Sequence, residues 1–294
     1  MLGLKDKKNY KSILAKLEEE FYNSHSLFLI TAAELEFYLS DNNSDSHKLI
    51  LDEVFSTCHD NEIPIENIIE EHGNNQYEVI FPTFRYATDT AKAIIKTREI
   101  ISEIALKYNV EAYFDSKPFS EEPASGLHVH TSLHDKDLRN AYAKGLDDVE
   151  TDYMIYSANG LCELMAESMI YFAPNKDDYL RYSCDETNIV NATEPLYICW
   201  GGNNRTTSIR IPASTFSPNE RNLEHRVPCP NSEPYKALAA IIIGIDYGIK
   251  NKLTKHEKIF GNAFDKQYNL SPLAQSARQA KKDYKNGKII KNLL

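Results

Sequence analysis

The chain has 294 residues, a net charge of −10 and five cysteines. This length allows one or two domains, and we expect a single domain over residues 1–294 because no composition break or linker interrupts it. The acidic balance argues against a nucleic-acid surface, which needs a basic stripe. No apolar run approaches the roughly 18 residues of a membrane span, and the N-terminus lacks the apolar core of a signal peptide. The cysteines show no CxxC spacing, so we expect reduced thiols in a cytoplasmic protein.

The first part of the chain is predicted to mix helices and strands. Periodicity and turn residues indicate a helix over 9–24, a strand over 32–39, a helix over 47–59 after the polar turn at 41–46, a hairpin over 65–81 around the loop 73–75, a helix over 86–108 and a strand over 110–114.

The remaining elements are predicted in the same way. They are a strand over 126–133, a largely helical stretch over 146–172, strands over 196–200 and 206–211, and helix from about 233, with an apolar run over 237–245. Because helices and strands are mixed rather than strictly alternating, we predict an α+β fold with a mainly antiparallel sheet, not a doubly wound one.

Two polar pairs lie inside predicted strands. Glu34 and Glu36 flank a leucine, and His128 and His130 flank a valine. Residues two apart on a strand point to the same face, so each run directs two metal-competent groups at one spot. Since strands normally bury apolar side chains, something must compensate this charge. A single histidine in a core is usually a structural group, so the histidines alone leave both interpretations open.

Two further acidic segments extend the pattern. If the loop 73–75 closes the hairpin, Glu70 and Glu78 lie directly across from each other, where like charges repel unless a cation lies between them. A solvated hairpin edge with two unrelated acids is the alternative. Glu224 and Arg226 also share a strand face, and there the alternative is a surface ion pair.

Together these positions form a set of five carboxylates and one imidazole: Glu34, Glu36, Glu70, Glu78, Glu224 and His128. Mostly hard oxygen ligands suit Mg²⁺ or Mn²⁺ better than structural zinc, and the set is large enough for two ions. Arg205, Arg210 and Arg226 lie in strand-like segments, where guanidinium groups can hold phosphate or carboxylate oxygens. The common nucleotide loops G-x-x-x-x-G-K-[ST] and G-x-G-x-x-G are absent from the sequence, so metals and arginines would have to replace them.

Several segments over about residues 30–250 resemble glutamine synthetases, in the family's order. They are Glu34-Leu-Glu36-Phe, Glu70 with Gln76-Tyr77-Glu78, Lys117-Pro118 with Ser125-Gly126-Leu-His128-Val-His130-Thr-Ser132, Asn204-Arg205-Thr-Thr-Ser208-Ile-Arg210-Ile-Pro212, and Leu223-Glu224-His-Arg226-Val-Pro228. The resemblance implies a curved, mainly antiparallel half-barrel sheet flanked by helices. The segment from Trp200 to Thr206 is similar to the branch that joins glutamate to amines larger than ammonia.

The resemblance also implies a chemistry, in which ATP phosphorylates the γ-carboxylate of glutamate and ammonia or an amine then displaces phosphate. The cation beside glutamate is expected at Glu36, Glu70 and Glu78. The cation on the ATP phosphates is expected at Glu34, His128 and Glu224. Nucleotide contacts are expected from His130, Ser132, Arg205 and Arg210. Catalysis is expected to involve Arg205, Arg226 and Glu194.

The sequence departs from the family pattern on the substrate side. The family segment N-S-Y-K-R-L-V-P-G-Y-E-A-P supplies a substrate-binding arginine and a glutamate that deprotonates the acceptor. Counting back from Pro195, these positions fall on Thr187 and Thr193, with Glu194 one residue along. If this segment is a strand, a one-residue shift would turn Glu194 away from the site.

Three other departures bear on assembly and recognition. Pro123-Ala124 replaces a family Asn-Gly, and Asn222 replaces an ATP-contacting arginine. Only one predicted helix precedes Glu34, where the family carries a small β-grasp domain that completes a neighbouring subunit's site. We therefore expect a homo-oligomer or a complex with a chain that supplies this domain.

Three hypotheses remain open at this point. The first is an ATP-dependent carboxylate–amine ligase acting on small molecules: ATP, glutamate or a similar carboxylate, and ammonia or an amine. The second is a catalytically impaired relative kept as a binding or assembly partner. The third is a phosphotransferase that acts on a guanidino or small carboxylate substrate and needs no amine.

Overall fold

A computed structural model describes residues 9–40, 44–143, 150–183, 194–213 and 218–294. Within these residues, nine strands form one open sheet: β1 (Phe28–Leu39), β2 (Asn67–Glu70), β3 (Gln76–Ile80), β4 (Ala112–Tyr113), β5 (Leu127–His134), β6 (Trp200–Gly201), β7 (Ile209–Arg210), β8 (Leu223–His225) and β9 (Lys258–Ile259). The strand order is β2-β3-β1-β5-β8-β7-β6-β9, and β4 pairs with β1. The predicted α+β fold with a mainly antiparallel sheet is confirmed.

Helices cover one side of this sheet. They are α1 (Tyr10–His25), α2 (Ser44–Asp60), α3 (Ala87–Lys107), α4 (Asp152–Glu163), α5 (Met165–Phe172), α6 (Pro234–Lys250), α7 (Ala277–Asn286) and α8 (Ile290–Leu293), and a 3₁₀ helix spans Asp177–Tyr182. The predicted helices near the N-terminus, over 86–108 and at the apolar run 237–245 are confirmed. None of the helices in the described ranges is both long and apolar enough to cross a bilayer.

Strand β1 shows how the sequence separates core from site. Alternate side chains such as Leu29, Leu35 and Phe37 are buried in the hydrophobic core beneath the helices. Because successive side chains on a strand point to opposite faces, this alternation turns Glu34 and Glu36 to the other face of the sheet. The apolar half of the strand therefore fixes the register that presents the acids.

The segment between Cys199 and Ile211 differs from the two longer strands predicted there. Only Trp200–Gly201 and Ile209–Arg210 are extended, and they pair in parallel. The connection is curled because the Asn204 side chain accepts hydrogen bonds from Thr206 N and Oγ1. The prediction of helix throughout the chain after 233 is also wrong, since residues 251–276 are mostly irregular.

Helices α4 and α6 touch through glycine. A Cβ atom on Gly248 would lie 2.0 Å from Tyr156 O and 2.8 Å from Gly160 Cα. Both contacts are with backbone, which cannot rotate away. We expect Gly248→Ala to lower the free energy of unfolding by about 1–3 kcal/mol through overpacking. Urea denaturation measures this change.

Gly202 is the matched control for that substitution. A Cβ there would meet only the flexible end of Lys258, at 3.8 Å or more. Gly202→Ala should therefore stay within about 0.5 kcal/mol of the unmodified chain. Equal urea midpoints for the two variants would contradict the close packing of α4 on α6.

Candidate active site

One face of the sheet carries charged side chains on neighbouring strands. Glu36 of β1 lies opposite Glu78 of β3, and Glu34 of β1 lies opposite His128 of β5. Directly paired residues on one face have neighbouring side chains. The pairing therefore brings three carboxylates and an imidazole together, although they come from distant parts of the sequence.

The row continues over two more strands. His130 of β5 lies opposite Glu224 of β8, and Glu224 lies opposite Arg210 of β7. Glu224 is almost fully buried, and its two oxygens are bound by different guanidinium groups: Arg210 Nη1 lies 2.5 Å from Oε2, and Arg226 Nη1 donates to Oε1. The alternative of a surface ion pair at Glu224 and Arg226 is therefore wrong.

A cavity of about 1360 Å³ opens over this face. The predicted site residues that line it are Glu34, Glu36, Glu78, His128, His130, Glu194, Arg205, Arg210, Glu224 and Arg226. Apart from Glu70 and Ser132, the predicted acidic, imidazole and arginine positions therefore lie around one cavity.

The His128 ring lies at the centre of the carboxylates. Its Nδ1 is 3.2 Å from Glu34 Oε2 and 3.6 Å from Glu224 Oε1, while its Nε2 is 3.8 Å from Glu36 Oε1. The His130 ring approaches Glu34 from the other side, with Nε2 3.1 Å from Oε1. Both histidines thus bridge acids that would otherwise repel.

Gly126 allows this crowding. Its backbone N donates to Glu36 Oε2 at 2.6 Å. A Cβ atom at Gly126 would lie 2.5 Å from Arg181 Nη2 and 2.7 Å from His128 Nε2. Because a larger residue would displace one of these side chains, glycine lets the backbone approach the carboxylate closely.

Three groups of potential ligand atoms, each within 4.8 Å of one another, fit divalent cations. They are Glu36 with Glu71 and Glu78, Glu34 with Glu78 and His128, and Glu34 with His130 and Glu224. The oxygen-rich donors suit Mg²⁺ or Mn²⁺, which favour carboxylates and tolerate an imidazole.

The family profile described as the catalytic domain of glutamine synthetase matches residues 20–294. The chain belongs to the glutamine synthetase catalytic-domain family. Among its relatives, γ-glutamylputrescine synthetase PuuA of Escherichia coli K12 is 26% identical over 297 residues, which cover 90% of this chain and 60% of the relative. Glutamate–isopropylamine ligase of a Pseudomonas species is 32% identical over 239 residues, covering 79% and 49%. The chain thus spans about half to three fifths of the length of these relatives.

A solved structure also shares the fold. The GmaS/ADP complex aligns with a TM-score of 0.85 and 20% sequence identity, over 97% of this chain and 69% of that one. This likeness shows that the two chains share the same fold.

The prediction that Glu70 lies across from Glu78 is wrong. In the hairpin Glu78 pairs with Ile69, and Glu70 is exposed outside the cavity. The chain turns over 72–75 rather than in a three-residue loop, so the register differs by one residue and Glu70 points to the other face. Glu71 lines the cavity instead and forms the cation group with Glu78.

Arg181 is a cavity residue that the sequence analysis missed. It is buried, and its guanidinium donates to the carbonyl oxygens of Arg226, Val227 and Pro228. Those acceptors are neutral, so its positive charge remains available to the cavity. The signal was present in Tyr179-Leu-Arg181, which resembles the Y-K-R of the family segment. The count back from Pro195 assumed the family spacing and therefore did not reach Arg181, because the chain between Arg181 and Pro195 is longer than in the family segment.

Glu194 faces the cavity, contrary to the expectation for a strand shifted by one residue. Glu194 does not lie in a strand, and its Oε1 accepts a hydrogen bond from Ala124 N at 3.1 Å. Thr187 and Thr193, on which the motif count placed the arginine and the glutamate, lie outside the described residues. The position of Glu194 makes a carboxylate available on the substrate side.

Ser132 lies two residues beyond His130 on the same face of β5 but is not among the cavity-lining residues. Its Oγ is 3.0 Å from His134 Nε2, a residue at the end of the strand. Its predicted contact with the nucleotide stays a prediction.

Neighbouring histidine and arginine side chains decide which carboxylates of the site are ionised. Burial opposes ionisation of Glu34, but the hydrogen bonds and charges of His128 and His130 hold the pKa of Glu34 below its usual range. Burial also opposes ionisation of Glu224, yet the Arg226 charge, followed by both histidines and Arg210, lowers its pKa to about 2. These two acids are negative at neutral pH.

Glu78 behaves in the opposite way. Burial first, and then the negative charges of Glu34, Glu36 and Glu71, raise the pKa of Glu78 to about 9. The Glu36 pKa is also raised, chiefly by burial, although the charge of His128 opposes this. In the absence of a cation, Glu78 therefore keeps its proton at neutral pH.

Cation binding should consequently release a proton. Because the carboxylate form of Glu78 is the ligand, Mn²⁺ affinity is expected to rise with pH below about 9, by up to about tenfold per unit. Calorimetry at pH 7 in two buffers of different ionisation enthalpy counts the protons released. A Glu78→Gln variant should release fewer. An affinity that is constant between pH 6 and 8, with no proton release, would contradict this ionisation pattern.

Proposed function

We propose that the chain acts as an ATP-dependent carboxylate–amine ligase of the glutamine synthetase type. The side-chain carboxylate of glutamate would attack the γ-phosphorus of ATP, releasing ADP. Ammonia or an amine would then attack the acyl phosphate, release phosphate and lose a proton. The single observation that carries this proposal is the row of acids, histidines and arginines over one cavity.

The electrostatic problem of the first step is the approach of two anions. Mg²⁺ or Mn²⁺ bound at the acidic groups would lower the repulsion and align the phosphates. Arg205, Arg210 and Arg226 line the same cavity and add positive charge to it. Arg210 and Arg226 are held by Glu224, so their orientation is fixed before substrate arrives.

The substrate side is assigned to Arg181 and Glu194. Arg181 would attract a carboxylate of glutamate. Its guanidinium lines the cavity, and its hydrogen bonds go to neutral carbonyl oxygens, which leave its positive charge uncompensated by them. Glu194 would accept the proton that the amine loses. Its attachment to Ala124 N supports this role by holding the carboxylate at the cavity wall.

The acceptor is proposed to be an alkyl amine. The names of two relatives, γ-glutamylputrescine synthetase and glutamate–isopropylamine ligase, specify amines larger than ammonia. Glu121, Glu122 and Glu194 also line the cavity, and their negative charges would attract an alkylammonium ion. Completion of the site by a second copy or another chain is also proposed, because the resemblance to glutamine synthetases implies that a neighbouring subunit contributes to the site.

Release of ADP tests the proposal. The chain is incubated with Mg²⁺, ATP, glutamate and, in turn, ammonia, isopropylamine and putrescine, while mass spectrometry follows the γ-glutamyl product. We expect amine-dependent ADP release that a Glu36→Gln variant lacks. ATP binding without turnover for any acceptor would favour the impaired binding partner instead. A phosphorylated small molecule formed without amine would favour the phosphotransferase.

A further inference from the structure

The His130 ring is held from one side by Asn222. His130 Nδ1 lies 2.9 Å from Asn222 Oδ1, and the amide of Asn222 is oriented by a second bond in which Nδ2 donates to Glu220 O at 3.1 Å. An amide oxygen can only accept a hydrogen bond. His130 must therefore carry a proton on Nδ1.

The other nitrogen of this ring lies beside the Glu34 carboxylate. His130 Nε2 is a buried atom that lies only 3.1 Å from Glu34 Oε1. Glu34, His130 and Glu224 form a group whose ligand atoms lie within 4.8 Å of one another. With Nδ1 holding its proton against Asn222, Nε2 is the ring nitrogen that can lose a proton and offer a lone pair to a cation.

We infer that Asn222 is a positioning residue that fixes the Nδ1–H form of His130 and thereby makes Nε2 a ligand of the cation held by Glu34 and Glu224. Metal-binding histidines usually donate their second ring N–H to an oxygen that sets their orientation. This inference rests on the proposed function only in assuming that the cavity binds a divalent cation.

Residue 222 makes this arrangement particular to the chain. The family pattern places an arginine at this position, and a guanidinium has no acceptor for a histidine N–H. The motif resemblance assigned the cation to His128 and the nucleotide to His130. His128 has carboxylates near both of its ring nitrogens, at 3.2 Å and 3.8 Å, and so lacks a neutral acceptor of this kind in those contacts.

Pulsed electron paramagnetic resonance of the protein with Mn²⁺ alone tests the inference, because it detects nitrogen bound directly to manganese. A His128→Gln variant leaves His130 as the imidazole of this cluster and should keep a nitrogen coupling. Adding His130→Gln should abolish that coupling. Asn222→Leu and Asn222→Arg should weaken the coupling and lower Mn²⁺ affinity about 10–100-fold, whereas Asn222→Asp, which retains an acceptor, should preserve both.

Asn203→Leu is the matched control. Asn203 Oδ1 accepts hydrogen bonds from Arg210 Nη2 and Nε at 2.6 and 3.1 Å, so its loss disturbs an arginine of the same cavity rather than His130. Its nitrogen coupling should match that of the unmodified protein. A coupling and affinity unchanged by Asn222→Leu would overturn the inference. No substrate is present, so failure of ligase turnover would leave this result readable.

Discussion

A Glu71→Gln variant is expected to lose at least about 100-fold in Mn²⁺ affinity at the position shared with Glu36 and Glu78. Substituting a residue that only hydrogen-bonds to a metal ligand already lowers metal affinity by about 10–100-fold. Glu71 itself offers a ligand atom, so its loss should cost more. With Mg²⁺ and substrates, kcat/KM should fall by about 10²–10³-fold, because this cation would stabilise charge in the transition state. Calorimetric titration of Mn²⁺ and the ADP-release assay measure the two effects.

Glu70→Gln is the matched control for this variant, since it makes the same chemical change one residue away. Glu70 is exposed and paired in β2, with its side chain outside the cavity. Its Mn²⁺ affinity and turnover should stay close to those of the unmodified chain. If Glu70→Gln were the damaging substitution and Glu71→Gln were silent, the hairpin register would be wrong.

Replacing Glu224 by glutamine is expected to lower the free energy of unfolding by about 3–5 kcal/mol at neutral pH. Glu224 is almost fully buried and neutralises Arg210 and Arg226 together, so its loss leaves two guanidinium groups without their carboxylate. Relief of repulsion with Glu78 acts in the opposite direction. The direct ion pairs dominate because their atoms are in hydrogen-bond contact. Chemical denaturation measures the difference.

The pH dependence gives this prediction a signature. The folded-state pKa of Glu224 is lowered from 4.5 to about 2, so its ionisation stabilises the fold above pH 4.5 and this contribution is lost as pH falls towards 2. The destabilisation by Glu224→Gln should be equal at pH 6 and 8 and shrink below pH 4.5. Glu99→Gln, which breaks an exposed pair with Lys96, should cost at most about 1 kcal/mol. Equal costs for the two variants would contradict the central role of Glu224.

The inner strands of the site were predictable from the sequence because their signals are local. Alternation of apolar and charged residues fixes which face of β1 carries Glu34 and Glu36, and the same period places His128 and His130 together on β5. Their meeting across the sheet needed only the register that burial of the apolar residues imposes.

The sequence predictions were wrong where the length or conformation of a connecting loop, rather than the periodicity of a strand, decides where a side chain lies. A three-residue loop would place Glu70 opposite Glu78, but the hairpin turn is one residue longer, and one residue changes the face. Arg181 was not predicted because additional residues before Pro195 change the spacing on which the motif count relied. The connection between the parallel strands of Trp200 and Ile209 is shaped by hydrogen bonds that Thr206 donates to the Asn204 side chain, which periodicity does not report.

The ionisation of the site could not be predicted from residue types alone. Glu78 and Glu224 are both buried glutamates, yet their pKa values move in opposite directions, to about 9 and about 2. The difference depends on whether the nearest charges are carboxylates or guanidinium groups, and that is decided by the folded structure.

Crystallographic anomalous scattering from Mn²⁺, in crystals soaked with Mn²⁺ and a non-hydrolysable ATP analogue, tests most directly whether this face of the sheet binds two cations and ATP. We expect one manganese bound by Glu36, Glu71 and Glu78, and a second bound by Glu34 and Glu224 beside the nucleotide phosphates. Manganese peaks elsewhere, or a nucleotide bound away from this face of the sheet, would contradict it.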